Sequence, residues 1–390
     1  MKRRRPRTSE TKDLKQPGPS RQQRWRQARR VLCIRLDSLG DVLMTTPALR
    51  ALKESAPGRQ LTLLTSKAGA QAVPLIPEID RYIPYEAPWM KSTASREDPA
   101  PDFSMIDELR EGCYDAAVIF TVFSQNPLPA ALMAFLAEIP LRLAHCRENP
   151  YQLLTDWVPD PDAAGDRPIR HEVRRQLDLV ASVGCTTGNE KLSLQPPPEA
   201  SMRLRKLLAK KGLLWEAPWL VIHPGASAPS RRYAPQGFAA AADELAGRHG
   251  FQIVFTGSQA EGELVKAIQA QMGRPSISLA GLLDLADLVA LLDMAPLLIS
   301  NNTGPVHIAA AVGAPVVDLY ALTNPQHTPW QIPSRVLNHD VPCKYCFKSV
   351  CPMQHHNCLR LVSPQEVVQA AVELYQAVRK PALTDLEAGL

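Results

Sequence analysis

The sequence SNNTGPVHIAAA, residues 300–311, decides the fold. It follows the apolar run LLI at residues 297–299 and leads into small residues, which indicates a strand, a polar turn containing Gly304 and then a helix. The N-terminus of such a helix directs free backbone N–H groups and a positive dipole end at whatever lies above the sheet. We therefore expect this turn to bind an anion, and the diphosphate of a sugar nucleotide suits it.

A second turn of the same construction, RLDSLGD at residues 35–41, lies near the start of the chain. Short apolar runs separated by helical patterns occur in both halves, which predicts parallel, doubly wound α/β sheets. The predicted strands are residues 31–36, 61–65, 115–120, 219–222, 251–255, 277–279, 297–300 and 315–319. The predicted helices are residues 41–55, 68–73, 130–137, 171–183, 200–211, 236–248, 259–272, 284–293, 304–312 and 364–379, the last with an amphipathic pattern. Two strand–turn–helix sites in two halves predict a transferase with a cleft between two domains.

Length and composition divide the chain into four parts. At 390 residues, with 45% hydrophobic and 21% charged residues, it is long enough for two domains with full cores. Residues 1–30 carry 12 Lys/Arg and 2 Asp/Glu with almost no aliphatic side chains, which is typical of a disordered tail. The proline run at residues 196–198 indicates a domain boundary. We predict a basic tail over 1–30, domains over 31–195 and 196–380, and a second tail over 381–390.

The charge distribution limits the partners. Without its basic tail the chain is mildly acidic, and the tail offers only Trp25 for stacking on bases, so we expect no nucleic acid partner. The tail is either a solvated extension or a segment attracted to an anionic membrane face. No apolar run approaches 18 residues. We expect a cytoplasmic protein, with peripheral contact at the cytoplasmic face of the inner membrane as a further option.

Several motifs carry a resemblance to a known family. The first turn has one glycine instead of Gly-x-Gly-x-x-Gly, which disfavours a nicotinamide or flavin enzyme. The chain instead resembles glycosyltransferase family 9, the bacterial lipopolysaccharide heptosyltransferases, over roughly residues 30–380. The motifs are RLDSLGDVLMTTPAL (35–49), HPGAS (223–227), FTGS (255–258), SNNTGPVHIAAA (300–311) and YALTNPQHTP (320–329). The resemblance implies a GT-B fold, in which two Rossmann-like domains face a central cleft, with the acceptor on the N-terminal half and the nucleotide sugar on the C-terminal half.

Asp41 is the candidate general base. It lies at the start of the first helix, whose N-terminus would stabilise an ionised carboxylate. The resemblance points to the same aspartate, with inversion at the anomeric carbon by a single displacement. The alternative is that Asp41 only caps the helix. Asp37, the second carboxylate on this turn, is expected to support it.

The candidate donor site lies in the second half of the chain. Arg231 and Arg232 follow the HPGAS turn and are candidates for a diphosphate clamp; the family usually has lysine at position 231, so the clamp geometry differs here. The resemblance also places an acidic residue at Glu261, for the ribose hydroxyls, and an aspartate where this chain has Asn302. The remaining candidates are Thr303, Gly304 and His307, which begin the helix after residue 302.

Positively charged residues in the first domain indicate a candidate acceptor site. Arg35 on the first turn, with His171 and Arg174 at the start of a helix in the first domain, is expected to face an anionic acceptor such as a phosphorylated lipid core. For the donor residues the alternatives are two solvated loop arginines at 231 and 232, a solvated first-turn glutamate at Glu261 and a packed, hydrogen-bonded histidine at His307.

Four cysteines lie within sixteen residues, together with two histidines. The spacing between Cys343 and Cys346 is that of a zinc ligand pair, but the pair Cys351 and Cys358 is spaced by six residues. We expect no metal to be required, and reduced thiols or a disulfide formed on isolation are favoured over structural zinc.

Three functional hypotheses compete. The first is a heptosyltransferase that moves heptose from ADP-heptose to a Kdo-lipid A or heptosyl-Kdo acceptor of the lipopolysaccharide inner core. The alternatives are a GT-B transferase with another nucleotide sugar or a different acceptor, and a module that binds a sugar nucleotide without turnover.

Overall fold

The computed structural model describes residues 19–91, 93–160 and 169–379, and two six-stranded parallel sheets lie within these ranges. The strands of the first sheet are β1 (Arg30–Arg35), β2 (Gln60–Thr65), β3 (Arg81–Pro84), β4 (Ala116–Ile119), β5 (Leu141–Cys146) and β6 (Asp156–Pro159). The strands of the second are β7 (Trp219–His223), β8 (Gln252–Phe255), β9 (Ile277–Ser278), β10 (Leu298–Asn301), β11 (Val316–Leu319) and β12 (Ser334–Leu337). The central strands are buried along their whole length because helices cover both faces of each sheet.

The helices alternate with these strands. Those of the first half are α1 (Arg21–Gln27), α2 (Leu39–Glu54), α3 (Lys67–Ala70), α4 (Ala100–Glu111), α5 (Leu128–Leu136) and α6 (Glu172–Ala181). Those of the second half are α7 (Pro198–Lys210), α8 (Pro235–His249), α9 (Gly262–Gln269), α10 (Leu285–Met294), α11 (Gly304–Val312), α12 (Asn357–Arg360) and α13 (Pro364–Arg379). Short 3₁₀ helices are Val73–Leu75, Pro229–Arg231 and Gln259–Glu261. Among the residues described, no helix has the length and apolar character needed to cross a bilayer.

Strand order is what positions the site. The first sheet has the order β3-β2-β1-β4-β5-β6 and the second the order β12-β11-β10-β7-β8-β9. In each sheet the order reverses between two central strands, β1 and β4 in one and β10 and β7 in the other. Ligands of open α/β sheets bind in the crevice at the carboxyl ends of such strands. The turns that the sequence analysis singled out, after β1 and β10, both begin at these reversal points.

The two domains share packed surface. Helix α2 of the first domain packs against α11 of the second, and the apolar core between them continues from one domain to the other. Gly40 allows this close approach, because a Cβ there would lie 2.7 Å from Cδ2 of His307. The chain passes between the sheets over residues 182–197, and α7 then packs against α10.

The N-terminal prediction is wrong for residues 19–30. These residues contain α1 and the first residue of β1 instead of a disordered tail. Trp25 is fully buried, and its indole N–H donates to Oδ2 of Asp156 at 3.0 Å. Arg21 adds an ion pair to the same carboxylate at 2.8 Å. One buried aromatic ring thus anchors a segment whose composition is otherwise that of a solvated tail. Residues 1–18 and 381–390 lie outside the described part of the chain.

Four strands and three helices were not predicted from the sequence: β3, β5, β6 and β12, together with α1, α4 and the short α12. The strands β3 and β12 lie at sheet edges and are short and half-exposed, so they lack a continuous apolar run. Strand β5 is fully buried but carries Arg142 and His145, which interrupt its apolar pattern. Strand β6 and helix α4 were missed for the same reason, because polar residues occupy many of their positions. The other predicted strands and helices are present, with ends that differ by a few residues.

Candidate active site

A pocket of about 390 Å³ opens between the two domains, at the reversal points of both sheets. We call its two sides the first-domain wall and the second-domain wall. The first-domain wall consists of residues 37–41, Met44, Val122 and Ser124. The second-domain wall consists of Ser227, Ala228, Arg231, Thr303, Gly304, His307, Thr323, Asn324, Gln326, His327 and residues 347–349.

Arg35 lies beneath the first-domain wall, and the prediction that it faces an acceptor does not agree with its position. Its side chain is fully buried at the end of β1. Three carboxylates surround the guanidinium: Asp37 at 3.0 Å, Asp41 at 3.3 Å and Glu172 at 3.0 Å. A buried cation with three partners has no surface left for a ligand. Arg35 therefore orients the two aspartates of the wall.

Asp41 lies in the first turn of α2 and lines the pocket. Its Oδ2 accepts hydrogen bonds from the backbone N–H of Ser38 at 3.2 Å and from the Ser38 hydroxyl at 2.6 Å. Its Oδ1 accepts from Arg35. Burial raises the pKa of Asp41, but the positive charge of Arg35 and the hydrogen bond from the Ser38 hydroxyl outweigh that effect, so the pKa lies below its ordinary value. The carboxylate is thus ionised, and it both caps the helix and faces the pocket.

Asp37 has a different environment on the same turn. Burial raises its pKa to about 6, although Arg35 opposes that shift. The amide of Gln125, which follows β4, donates to Asp37 Oδ1. The two aspartates thus have pKa values shifted in opposite directions, an arrangement found where acid and base roles are separated.

The second-domain wall supplies cations and a helix N-terminus. Helix α11 begins at Gly304 without a side-chain cap, so the positive end of its dipole reaches the pocket. Arg231 and Lys348 line the same wall, and within the described part of the chain neither forms an ion pair with a carboxylate. Ser230 ties their segments together, because its N–H donates to Ser349 O at 3.0 Å and its hydroxyl to Lys348 O at 2.8 Å. This wall is suited to an anion.

Two histidines complete the pocket in neutral form. Burial lowers the pKa of His307 to about 3, and burial also lowers the pKa of His327. The ring centroids lie 6.3 Å apart and the rings are nearly perpendicular. His307 lines the pocket together with Thr303 and Gly304, and a donor contact by these three predicted residues stays a prediction.

Three predicted donor residues lie outside the pocket lining. Arg232 donates through Nε to Ala226 O at 2.8 Å, so its guanidinium braces a turn. Asn302 is buried, and its amide donates to Asp318 Oδ2 at 2.9 Å and to His327 O at 2.8 Å. An aspartate at position 302 would instead face the Asp318 carboxyl, whose pKa burial raises to about 8.

Glu261 is the third of them. Its Oε2 accepts from the Ser258 N–H at 2.7 Å, and its side chain packs against Gly225, where a Cβ would lie 1.8 Å from Oε1. His223 Nε2 lies 4.0 Å from the same carboxylate. Glu261 therefore caps its own turn beside the HPGAS loop, and a ribose contact there stays a prediction.

The predicted acceptor residues His171 and Arg174 also lie away from the pocket lining. His171 caps α6, its Nε2 lies 2.9 Å from Thr328 O, and its ring lies 4.5 Å from that of Trp330. Arg174 pairs with Glu190. The Arg174 guanidinium also lies 5.9 Å from the centre of the Trp330 ring. Through Thr328 and Trp330 both side chains contact the second domain, and neither lines the pocket.

Sequence reasoning missed His327, Asn324, Gln326 and Lys348. The first three lie in the YALTNPQHTP motif, which was used for the resemblance without any role being given to its side chains. Lys348 lies among the cysteines, where only metal binding was considered. Their polar character within a loop after a strand was the signal available, but the sequence gives no sign of which strand ends face each other.

The cysteine segment forms a small cavity beside the second-domain wall. The side chains around this space of about 20 Å³ include those of Cys343, Cys346, Cys351, Cys358, His355 and His356. Cys343 Sγ lies 3.7 Å from His355 Nε2, and the four thiols are free. Within residues 19–91, 93–160 and 169–379, no group of three or more His, Cys, Asp or Glu side chains is arranged to hold a metal ion. The metal content stays a prediction.

Comparisons with known proteins agree with this architecture. Lipopolysaccharide heptosyltransferase 2 of Salmonella typhimurium is 26% identical over 351 residues, which cover 87% of this chain and 97% of the relative. The solved structure of a family 9 glycosyl transferase from Veillonella parvula has a TM-score of 0.74 at 23% identity, covering 92% of this chain and all of that one. The structure of E. coli ADP-heptose lps heptosyltransferase II has a TM-score of 0.70 at 23% identity, covering 90% of this chain and all of that one.

These structural likenesses, with the two parallel sheets, confirm the predicted two-domain GT-B fold. The sequence model of glycosyltransferase family 9 (heptosyltransferase) matches residues 103–357. Because that match spans more than half of the chain, the protein belongs to glycosyltransferase family 9 and is a glycosyltransferase.

Proposed function

We propose that this protein is an inverting heptosyltransferase that moves a heptose from ADP-heptose to the inner core of lipopolysaccharide. The observation that carries the proposal is the opposed chemistry of the two pocket walls. An ionised carboxylate, Asp41, lies on the first-domain wall, and a helix N-terminus lies on the second with two cations that have no carboxylate partner among the described residues. Transfer from a nucleotide sugar needs a base for the acceptor and positive charge for the leaving diphosphate.

The proposed step is a single displacement. Asp41 accepts the proton of the acceptor hydroxyl as that oxygen forms a bond to the anomeric carbon. The bond from the anomeric carbon to the β-phosphate oxygen breaks, and the electron pair leaves with ADP. Arg231, Lys348 and the first turn of α11 stabilise the charge that develops on the diphosphate.

Arg35 has a supporting role in this scheme. Its positive charge keeps Asp41 ionised and oriented without contacting either substrate. A lowered pKa makes Asp41 a weaker base, so proton transfer is expected late, as the new bond to the anomeric carbon forms.

The donor and acceptor classes are supported by the relatives. The solved E. coli structure is named as an ADP-heptose enzyme, and the Salmonella relative as a lipopolysaccharide heptosyltransferase. We propose the same donor and a Kdo-bearing lipid acceptor here. Because that acceptor is a membrane lipid, the proposed working place is the cytoplasmic face of the inner membrane.

The test is nucleotide release by purified full-length protein given ADP-heptose and a Kdo-bearing lipid, with ADP-glucose and UDP-sugars in parallel. We expect ADP release that requires the acceptor and is confined to ADP-heptose. Nucleotide release with another donor, and none with ADP-heptose, would support the displacement mechanism and rule out heptose as the transferred sugar. Absence of turnover with every donor, while ADP still binds, would favour a binding module.

A further inference from the structure

His327 is a second-domain residue whose ring nitrogen Nε2 is buried and has no hydrogen-bond partner within the described part of the chain. It lines the pocket. A buried polar atom without a partner is uncommon and destabilising, so its retention at a ligand pocket calls for a ligand atom. Neither the family motifs nor the charge pattern assigned this residue a role.

The local structure fixes the ring proton on Nε2. The amide nitrogen of Asn324 lies 3.4 Å from His327 Nδ1. The amide orientation is set by Asn324 Oδ1, which accepts from the Gln326 N–H and from the Tyr320 hydroxyl, both at 3.1 Å. Because an amide N–H can only donate, Nδ1 accepts and Nε2 carries the hydrogen. His327, whose side chain lines the pocket, is therefore a neutral N–H donor whose Nε2 has no partner within the described part of the chain.

The backbone of His327 is held from two sides. Its N–H donates to the Tyr320 hydroxyl at 3.2 Å, and its carbonyl accepts from the Asn302 amide at 2.8 Å. Asn302 is buried and also bonds Asp318, so the loop is anchored to the end of β11. A donor held this way is preorganised, which lowers the cost of ordering it when a ligand binds.

The position of the ring determines what it can meet. The charged groups that act on it are Asp41, Glu172 and Arg35 from the first domain, and Arg231 from the second. It forms no hydrogen bond with any of them. The ring lines the same pocket as Asp41, the proposed base, and Arg231, the proposed diphosphate ligand. In a displacement between the base and the diphosphate, the transferred sugar occupies this pocket, within which His327 is a lining residue.

We infer that His327 Nε2 donates a hydrogen bond to an oxygen of the sugar being transferred, and so contributes to the choice of donor sugar. This rests on the proposed function for the identity of the sugar. A contact with the sugar can be distinguished from a contact with the diphosphate. Loss of a sugar contact lowers the affinity for ADP-heptose and leaves the affinity for ADP unchanged.

The experiment compares wild type with His327→Leu and His327→Gln by calorimetric titration with ADP-heptose and with ADP. Leucine removes the donor, whereas the glutamine amide nitrogen can occupy the place of Nε2. We expect His327→Leu to weaken ADP-heptose binding by about three- to tenfold, as for one hydrogen bond, with ADP affinity unchanged. We expect His327→Gln to restore much of the loss.

The outcomes separate this inference from the proposed function. Equal weakening for ADP and ADP-heptose would overturn the sugar contact and place His327 at the nucleotide. Unchanged binding of both by His327→Leu would overturn it as well. Wild-type protein that binds ADP-heptose no better than ADP-glucose would remove heptose from the proposed function. The sugar contact would in that case still be supported if His327→Leu weakened the binding of ADP-glucose but not of ADP, and overturned if it weakened neither or both equally.

Discussion

Replacing Asp41 with asparagine is the sharpest test of the mechanism. The substitution keeps the size of the side chain and one oxygen, and it removes the charge and the ability to accept a proton. Arg35 retains Asp37 and Glu172 as partners, so the buried cation is not left alone. We expect a folded protein whose stability falls by about 1 kcal/mol, the usual cost of weakening a helix cap.

The expected loss of turnover is much larger than that. Removing a general base costs about 10²–10⁴ in rate, which is about 2.7–5.4 kcal/mol at about 1.36 kcal/mol per tenfold. The assay is acceptor-dependent ADP release at saturating donor, with thermal unfolding measured on the same samples. ADP affinity should not fall, since Asp41 lies on the wall opposite the cations.

Ser38→Ala is the matched control, because it removes the 2.6 Å hydroxyl contact to Asp41 and leaves the carboxylate. If Asp41 only caps α2, both variants should lose stability and activity in parallel. If Asp41 is the base, Ser38→Ala should retain most of its turnover. The Ser38 hydroxyl lowers the pKa of Asp41, so its loss should move the acidic limb of the pH–rate profile upward. Near-full activity in Asp41→Asn would falsify the base assignment.

Other predictions concern the second-domain wall, the N-terminus and the cysteines. Arg231→Ala should raise the donor KM or lower kcat/KM by about 10- to 100-fold, as for a charged hydrogen bond of about 1.5–3 kcal/mol. The control is Arg232→Ala, because the Arg232 side chain braces a turn. Equal donor kinetics in the two variants would contradict a diphosphate contact by Arg231. Trp25→Ala should destabilise the protein by about 3–5 kcal/mol in denaturant unfolding, because it empties a fully buried site; an unchanged midpoint would mean that α1 does not contribute to the core. Elemental analysis should find well under one equivalent of zinc or iron, and a value near one would assign a metal to residues 343–358.

The fold could be predicted from local sequence because its signals are local. An apolar run, a polar turn and a small-residue helix at residues 297–312 indicate β10 and α11 without any knowledge of distant residues. The same holds for α13, whose amphipathic pattern gave the correct ends. The edge strands β3 and β12 were not predicted, because a half-exposed strand buries few side chains and therefore lacks a continuous apolar run.

The site was predicted only in part, and the errors share a cause. Charged residues near the motifs were assigned to ligands, yet Arg35 is buried among carboxylates and Arg174 pairs with Glu190. A sequence identifies a charge but not whether another charge neutralises it. Trp25 illustrates the converse, since its long-range contact with Asp156 orders a segment of tail-like composition.

The sequence by itself determined the alternation of strands and helices and the two strand–turn–helix sites, and it identified Asp41 as the candidate base, because each depends on neighbouring residues in one stretch of chain. The tertiary structure decided which side chains reach the pocket. Two sheets whose strand orders reverse at facing points bring together loops about 200 to 300 residues apart in the sequence, including residues 37–41 and His327. That pairing depends on the packing of α2 against α11, and no local pattern encodes it.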